Sequence, residues 1–205
     1  AEYIKRARER LAANDSDFFD RAFPSGERWR LYENFRGNAC FFDIETTGLD
    51  ARHSEVTTVS FHRAGETTTL VRGRDLTRAA IARELDAADL LVSFNGKRLD
   101  EVQANGFSIL PITPPHPDAM YPCRQLDLTG GLRPIERALG IERDRSDISG
   151  RDAVRLWREY ERGDESALET LVAYNRADTV NLKSLLDTVT RRLHESVFVD
   201  GHERR

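Results

Sequence analysis

The chain is poor in lysine, in sulfur and in uninterrupted apolar sequence. Lysine occurs only at Lys5, Lys97 and Lys183, so nearly all of the 31 basic side chains are arginine. An arginine fork suits phosphate, but a genome-wide codon bias gives the same composition and is the simpler reading. Cys40 and Cys123 are the only cysteines. Two cysteines outside any metal-ligand spacing exclude a disulfide scaffold or a zinc ribbon, and they read as reduced thiols of a cytoplasmic protein. No apolar run reaches the roughly 18 residues that a membrane-spanning helix needs. The start, Ala1-Glu2-Tyr3-Ile4-Lys5-Arg6, lacks the apolar core of a signal peptide, so none is expected. The phosphate loop G-x-x-x-x-G-K-[ST] is missing, which excludes a P-loop ATPase. Basic charge is also in deficit: 35 acidic against 31 basic side chains give a net −4. That argues against a protein that coats nucleic acid over its whole surface, and leaves open an enzyme with a local basic groove.

What is present is a mixed α/β pattern in 205 residues, enough to bury a real core. Residues 2–35 read as amphipathic helix, with Tyr3, Ile4, Ala7 and Leu11 at helical spacing. The aromatics Phe18, Phe19, Phe23, Trp29, Tyr32 and Phe35 follow. The stretch is expected to be a helical cap packed on the domain; a partner-docking arm is the alternative. Residues 39–45 read as a buried strand. Residues 56–62 and 67–72 read as a hairpin joined through Ala64-Gly65. A helix over 76–88 has Thr77 as N-cap and Ile81 and Leu85 on one face. Residues 90–94 form a continuously apolar strand, typical of a sheet covered on both sides. A helix is expected from near Lys97 to Gly106, a proline-rich loop over 111–117, and helices over 132–140, 151–162 and 164–192. The predicted organisation is an N-terminal helical extension (1–37), one catalytic domain (38–193) and a flexible tail (194–205).

Three segments carry carboxylates in suggestive places. Asp43 and Glu45 are two apart on an apolar strand, so both side chains point to one face. Like charges that close must share a proton or a cation, and a hard divalent ion such as Mg²⁺ or Mn²⁺ matches carboxylate oxygens. Asp100 follows the strand ending at Asn95, outside the carboxyl end of the strand, where ligands of open α/β sheets gather. Tyr174 and Asp178 are four apart and share a face of a long helix. Each segment has a plainer explanation: a strand end turned to solvent, a helix-start cap, an acid on a solvated face. Their order along the chain is the specific feature.

That order resembles the DEDD exonucleases of the ribonuclease H-like fold, tyrosine subgroup, and is most similar to the YprB-type ribonuclease H-like exonucleases. The resemblance spans about Cys40 to Leu186. It is carried by residues 41–49, Phe94-Asn95-Gly96-Lys97, the 129–141 stretch and Tyr174-Asn175-Arg176-Ala177-Asp178. It implies a mixed sheet flanked by helices, with Asp43, Glu45, Asp100 and Asp178 as metal-binding acids. Tyr174 would orient the attacking water. Two departures stand out: Leu99 occupies a position usually aromatic, and His116-Pro117-Asp118-Ala119 replaces a short regular strand, because Pro117 removes a ladder donor. Asp118 is therefore not counted as a site residue.

The implied activity is metal-dependent 3′–5′ exonucleolysis of DNA or RNA from a single-stranded 3′ end. Two ions about 4 Å apart would supply the nucleophile, charge relief and leaving-group assistance. Asp43 is expected to bridge both ions. A tyrosine hydroxyl, with its ordinary pKa near 10, suits positioning better than deprotonation. Asn95, Lys97 and Arg98 are placed to meet phosphates. The stripe Arg151, Arg155, Arg158 and Arg162 reads as a solvated face interleaved with acids. His53, His62, His116, His194 and His202 read as surface or loop residues. The alternative to an exonuclease is a catalytically weak ribonuclease H-like module that binds nucleic acid or a partner.

Overall fold

The computed structural model describes residues 2–48, 54–96, 114–143 and 148–203. Strand β1 (Ala39–Thr46) lies between β2 (Val56–Arg63) and β4 (Leu90–Val92), and β3 (Glu66–Val71) forms the far edge, giving the order β3-β2-β1-β4. β1 pairs with β2 antiparallel and with β4 parallel. The β2–β3 hairpin turns at Ala64 and Gly65, both with positive φ (52° and 85°). That backbone is what a two-residue hairpin turn matching the strand twist requires.

Alternation along β1 decides what faces what. Cys40, Phe42 and Ile44 join a core with Val59, Phe61, Ile81 and Leu85, beneath helix α4 (Arg78–Asp86). Thr77 caps α4 as expected, accepting a hydrogen bond from the Ala80 amide. Ala39 and Phe41 face the opposite core. There they meet the long helix α8 (Glu165–Glu203), together with α5 (Met120–Gln125) and α6 (Leu132–Leu139). Helix α7 (Gly150–Glu161) packs along α8 through Leu156, Trp157 and Leu171. Both cysteines are free and buried.

Several sequence expectations change. The first stretch breaks into α1 (Glu2–Ala12), α2 (Ser16–Asp20), a 3₁₀ turn (Ser25–Arg30) and α3 (Leu31–Phe35). Trp29, Leu31, Tyr32 and Phe35 are in the same core as Phe41 and Leu90, as a packed cap requires. Helix α1 buries nothing: Tyr3 and Ile4 are 62% and 58% exposed. Helix α8 does not stop near residue 192 but runs to Glu203, through most of the stretch expected as a tail. Helix α5 falls in a stretch for which the sequence reading gives no helix; its Pro122 stands in the first turn, where the missing N–H costs nothing. The strand after β4 shrinks to one parallel bridge, Ser93 to Asp118, as the proline beside it dictates. His62 is not a surface residue. It is 8% exposed on β2 and bonds Thr67 Oγ1 at 2.9 Å. Burial pushes its pKa below the usual imidazole value, and the Lys183 and Arg176 cations add to that.

Candidate metal centre

The same alternation that buries Phe41 carries Asp43 and Glu45 onto the face of β1 covered by α8. The buried stripe of α8 changes character along its length. Leu168 and Leu171 pack with α7. Tyr174, Asn175, Asp178 and Thr179 form a polar, buried middle stretch. Leu182, Leu185, Leu186, Val189 and Leu193 are apolar again and lie against the Phe41 side. The polar end of β1 thus meets the polar middle of the helix. Glu45 and Asp178 are 4% and 6% exposed. One ligand oxygen from each of Asp43, Glu45 and Asp178 lies within 4.8 Å of the others.

Asn175 ties these elements together. Its Nδ2 donates to Asp43 Oδ2 at 2.8 Å, and its Oδ1 accepts from the Thr58 hydroxyl of β2 at 3.1 Å. Asn175 is fully buried, so a polar link there replaces the solvent that the side chains lose. Tyr174 lies beside the acids with the Arg133 guanidinium 4.9 Å from its ring centre. Burial first, then the charges of Asp178, Glu45 and Asp43, raise its phenol pKa well above the ordinary value. The hydroxyl is therefore a hydrogen-bond donor across the physiological range.

Behind Asp178 stands Arg143, which donates to Asp178 Oδ1 and grips both oxygens of Glu136 at 2.7 and 3.0 Å. Burial alone would lower the pKa of this guanidinium; the Glu136 hydrogen bond and the Asp178 charge hold it above its usual value.

The acids open into a cleft of about 310 Å³ lined also by Asn95, Gly130, Gly131, Arg133, Ser149 and Tyr174. Asn95 sits at positive φ (59°), a conformation asparagine tolerates. The Asp118 carboxylate fixes that turn by accepting from the Asn95, Gly96 and Met120 amides at 2.8, 2.8 and 2.9 Å. Asp118 is thus a clasp for the Asn95 turn, set back from the acid cluster. Gly130 and Gly131 take positive φ (96° and 91°) as the chain enters α6 and delivers Arg133 to the cleft. An L side chain would strain that entry.

Of the residues singled out in the sequence, Asp43, Glu45, Tyr174, Asp178 and Asn95 line one cleft. Lys97, Arg98, Leu99 and Asp100 lie outside the described residues, as does the helix expected from 97 to 106. Arg155 pairs with Glu159 at 2.8 Å and Asp152 at 3.5 Å, which makes the arginine stripe of α7 a solvated face. Four residues of the site were not picked out in advance. Asn175 could have been found, since it neighbours Tyr174 on the buried stripe. Arg133, Glu136 and Arg143 carry no such signal.

The donor set fits a hard divalent cation: three carboxylates converge, two of them nearly inaccessible to water, and carboxylate oxygen is the preferred ligand of Mg²⁺ and Mn²⁺. A mixed sheet flanked by helices, with carboxylates on its central strand and on a late helix, defines a ribonuclease H-like protein. The sequence pattern of the RNase_H superfamily matches residues 40–190, and the chain belongs to that superfamily. No curated protein matches it. One similar solved structure is described as the "apo form of the nuclease"; it is 17% identical, with a TM-score of 0.43, over 85% of this chain and 80% of that one.

Proposed function

We propose that this chain is a divalent-metal-dependent 3′–5′ exonuclease of the DEDD type, tyrosine subgroup, acting on a single-stranded DNA or RNA end in the cytoplasm. The convergence of Asp43, Glu45 and Asp178 beside Tyr174 is the observation that carries this reading. Mg²⁺ or Mn²⁺ bound there, as a pair of ions once Asp100 contributes, would supply Lewis acidity and an activated water. The protein's own groups do the rest. Asp43, Glu45 and Asp178 hold the cations, and Asn175 keeps Asp43 in register. Tyr174, protonated and buried, can donate a hydrogen bond that aligns the attacking water with the phosphorus. Arg133 and Asn95 at the cleft wall can receive the phosphate backbone.

The test is digestion of single-stranded and duplex DNA and RNA, labelled at either end, with Mg²⁺, Mn²⁺ or chelator, beside Asp43→Asn. Stepwise shortening from the 3′ end that needs metal and vanishes in the variant is the expected result. Internal cuts, shortening from the 5′ end, or binding without any metal-dependent cleavage would each refute it.

A further inference from the structure

Asp178 is held from behind by a buried ion cluster. The side chains of Arg143, Glu136 and Asp178 are 5%, 3% and 9% exposed. They come from three parts of the chain: α6, the segment after it, and α8. Arg143 uses Nε and Nη2 on the two oxygens of Glu136, which leaves Nη1 for Asp178 Oδ1. Such a planar fork, satisfied on both edges, has little freedom to turn. Glu136 therefore fixes Arg143, and Arg143 fixes Asp178.

This has a consequence for which cations the site accepts. With Oδ1 facing a guanidinium, a metal ion that used both oxygens of Asp178 would share one of them with a fixed positive charge. Ca²⁺ takes six to eight oxygens at about 2.3–2.6 Å and often uses carboxylates two oxygens at a time, whereas Mg²⁺ wants octahedral single-oxygen ligands at about 2.0–2.1 Å. We propose that Arg143, locked by Glu136, is a positioning residue that confines Asp178 to one-oxygen coordination and so selects small octahedral cations over Ca²⁺. The inference rests on the metal reading above and adds a selectivity to it.

Calorimetric titration of the metal-free chain with Mn²⁺ and with Ca²⁺ tests it. The informative variant is the charge-neutral pair Arg143→Met with Glu136→Gln. Removing one cation and one anion together keeps the net charge of the cluster unchanged while removing the brace, and the Mn²⁺-to-Ca²⁺ preference is the criterion because a purely electrostatic change moves both affinities in the same direction. Mn²⁺ affinity should fall about 10- to 100-fold, the usual effect of losing a group that orients a ligand, while Ca²⁺ affinity holds or rises. Arg143→Lys keeps the charge but lacks the planar fork that takes both oxygens of Glu136 on one edge and Asp178 on the other, so it should lose Mn²⁺ preference as well. A folded pair variant with unchanged Mn²⁺ affinity and unchanged preference overturns the proposal while leaving the metal reading intact. A native chain that binds neither ion overturns both. If the pair variant fails to fold, Glu136→Gln alone is titrated by the same criteria, and its failure to fold would make the cluster purely structural and also overturn the proposal.

Discussion

Asn175 on α8 and Asp43 on β1 are joined by a 2.8 Å hydrogen bond across 132 residues of sequence. The bond sets the helix against the strand at the point where the carboxylates converge. Asn175→Ala removes it together with the link to Thr58. Losing buried partners of this kind costs about 1–3 kcal/mol. Urea unfolding should show that loss, and metal-dependent cleavage should fall with it. Unchanged stability and turnover would mean that Asp43 is placed by its strand alone.

Tyr174→Phe keeps the ring beside Arg133 and deletes only the hydroxyl. If that hydroxyl aligns the attacking water, kcat should drop while KM and metal affinity stay near their native values. Burial of the phenol is the main cause that raises its pKa, so no activity change between pH 7 and 8 should trace to its ionisation. A native alkaline limb in that window that disappears in Tyr174→Phe would contradict the donor role.

His62 gives a pH dependence with a defined sign. Its folded pKa is lowered, mainly by burial, so below the ordinary value near 6.5 the unfolded chain takes up a proton that the folded chain resists. Its contribution is therefore full above that value and is lost as the pH falls. Thermal unfolding between pH 7.5 and 5 should show a smaller drop in Tm for His62→Gln than for the native chain. Parallel curves would remove His62 from the account.

The N-terminal stretch should divide sharply in its energetics. Trp29 is 2% exposed within the core that holds Phe41 and Leu90, and Trp29→Ala should cost about 3–5 kcal/mol. Ile4 is 58% exposed, so Ile4→Ala should stay within about 0.5 kcal/mol. Chemical denaturation of the two variants checks both figures. A large loss at Ile4 would show that α1 is covered in solution.

What could be read in advance follows from the range of the interactions. The period-two placement of Asp43 and Glu45 is local, and so is the four-residue spacing of Tyr174 and Asp178. Both were legible, as were the hairpin turn and the Thr77 cap. Periodicity also shows that α1 has an apolar stripe, but it says nothing of whether another element covers it. The Arg143 brace was illegible for the same reason. Its partners lie 7 and 35 residues away along the chain, and only the packing of α6 against α8 makes them neighbours. Asp118 shows an intermediate case: Pro117 announced an irregular strand, yet nothing announced that its carboxylate would collect three amides.

The position of β1, flanked on one side by an antiparallel neighbour and on the other by a parallel one, has a bearing on how the protein fails. Its first three residues, Ala39 to Phe41, are buried and pair with β4, and Phe41 is bonded on both edges, so they belong to the last unit of the structure to open and their amides should exchange with solvent only through global opening. Asp43 and Glu45 lie beyond that stretch and, among the described residues, pair with β2 alone, next to a register irregularity at Glu45 and Thr46. On warming, the carboxylate end of β1 should loosen before its first three residues do, so this half of the site is lost ahead of the domain's global melting.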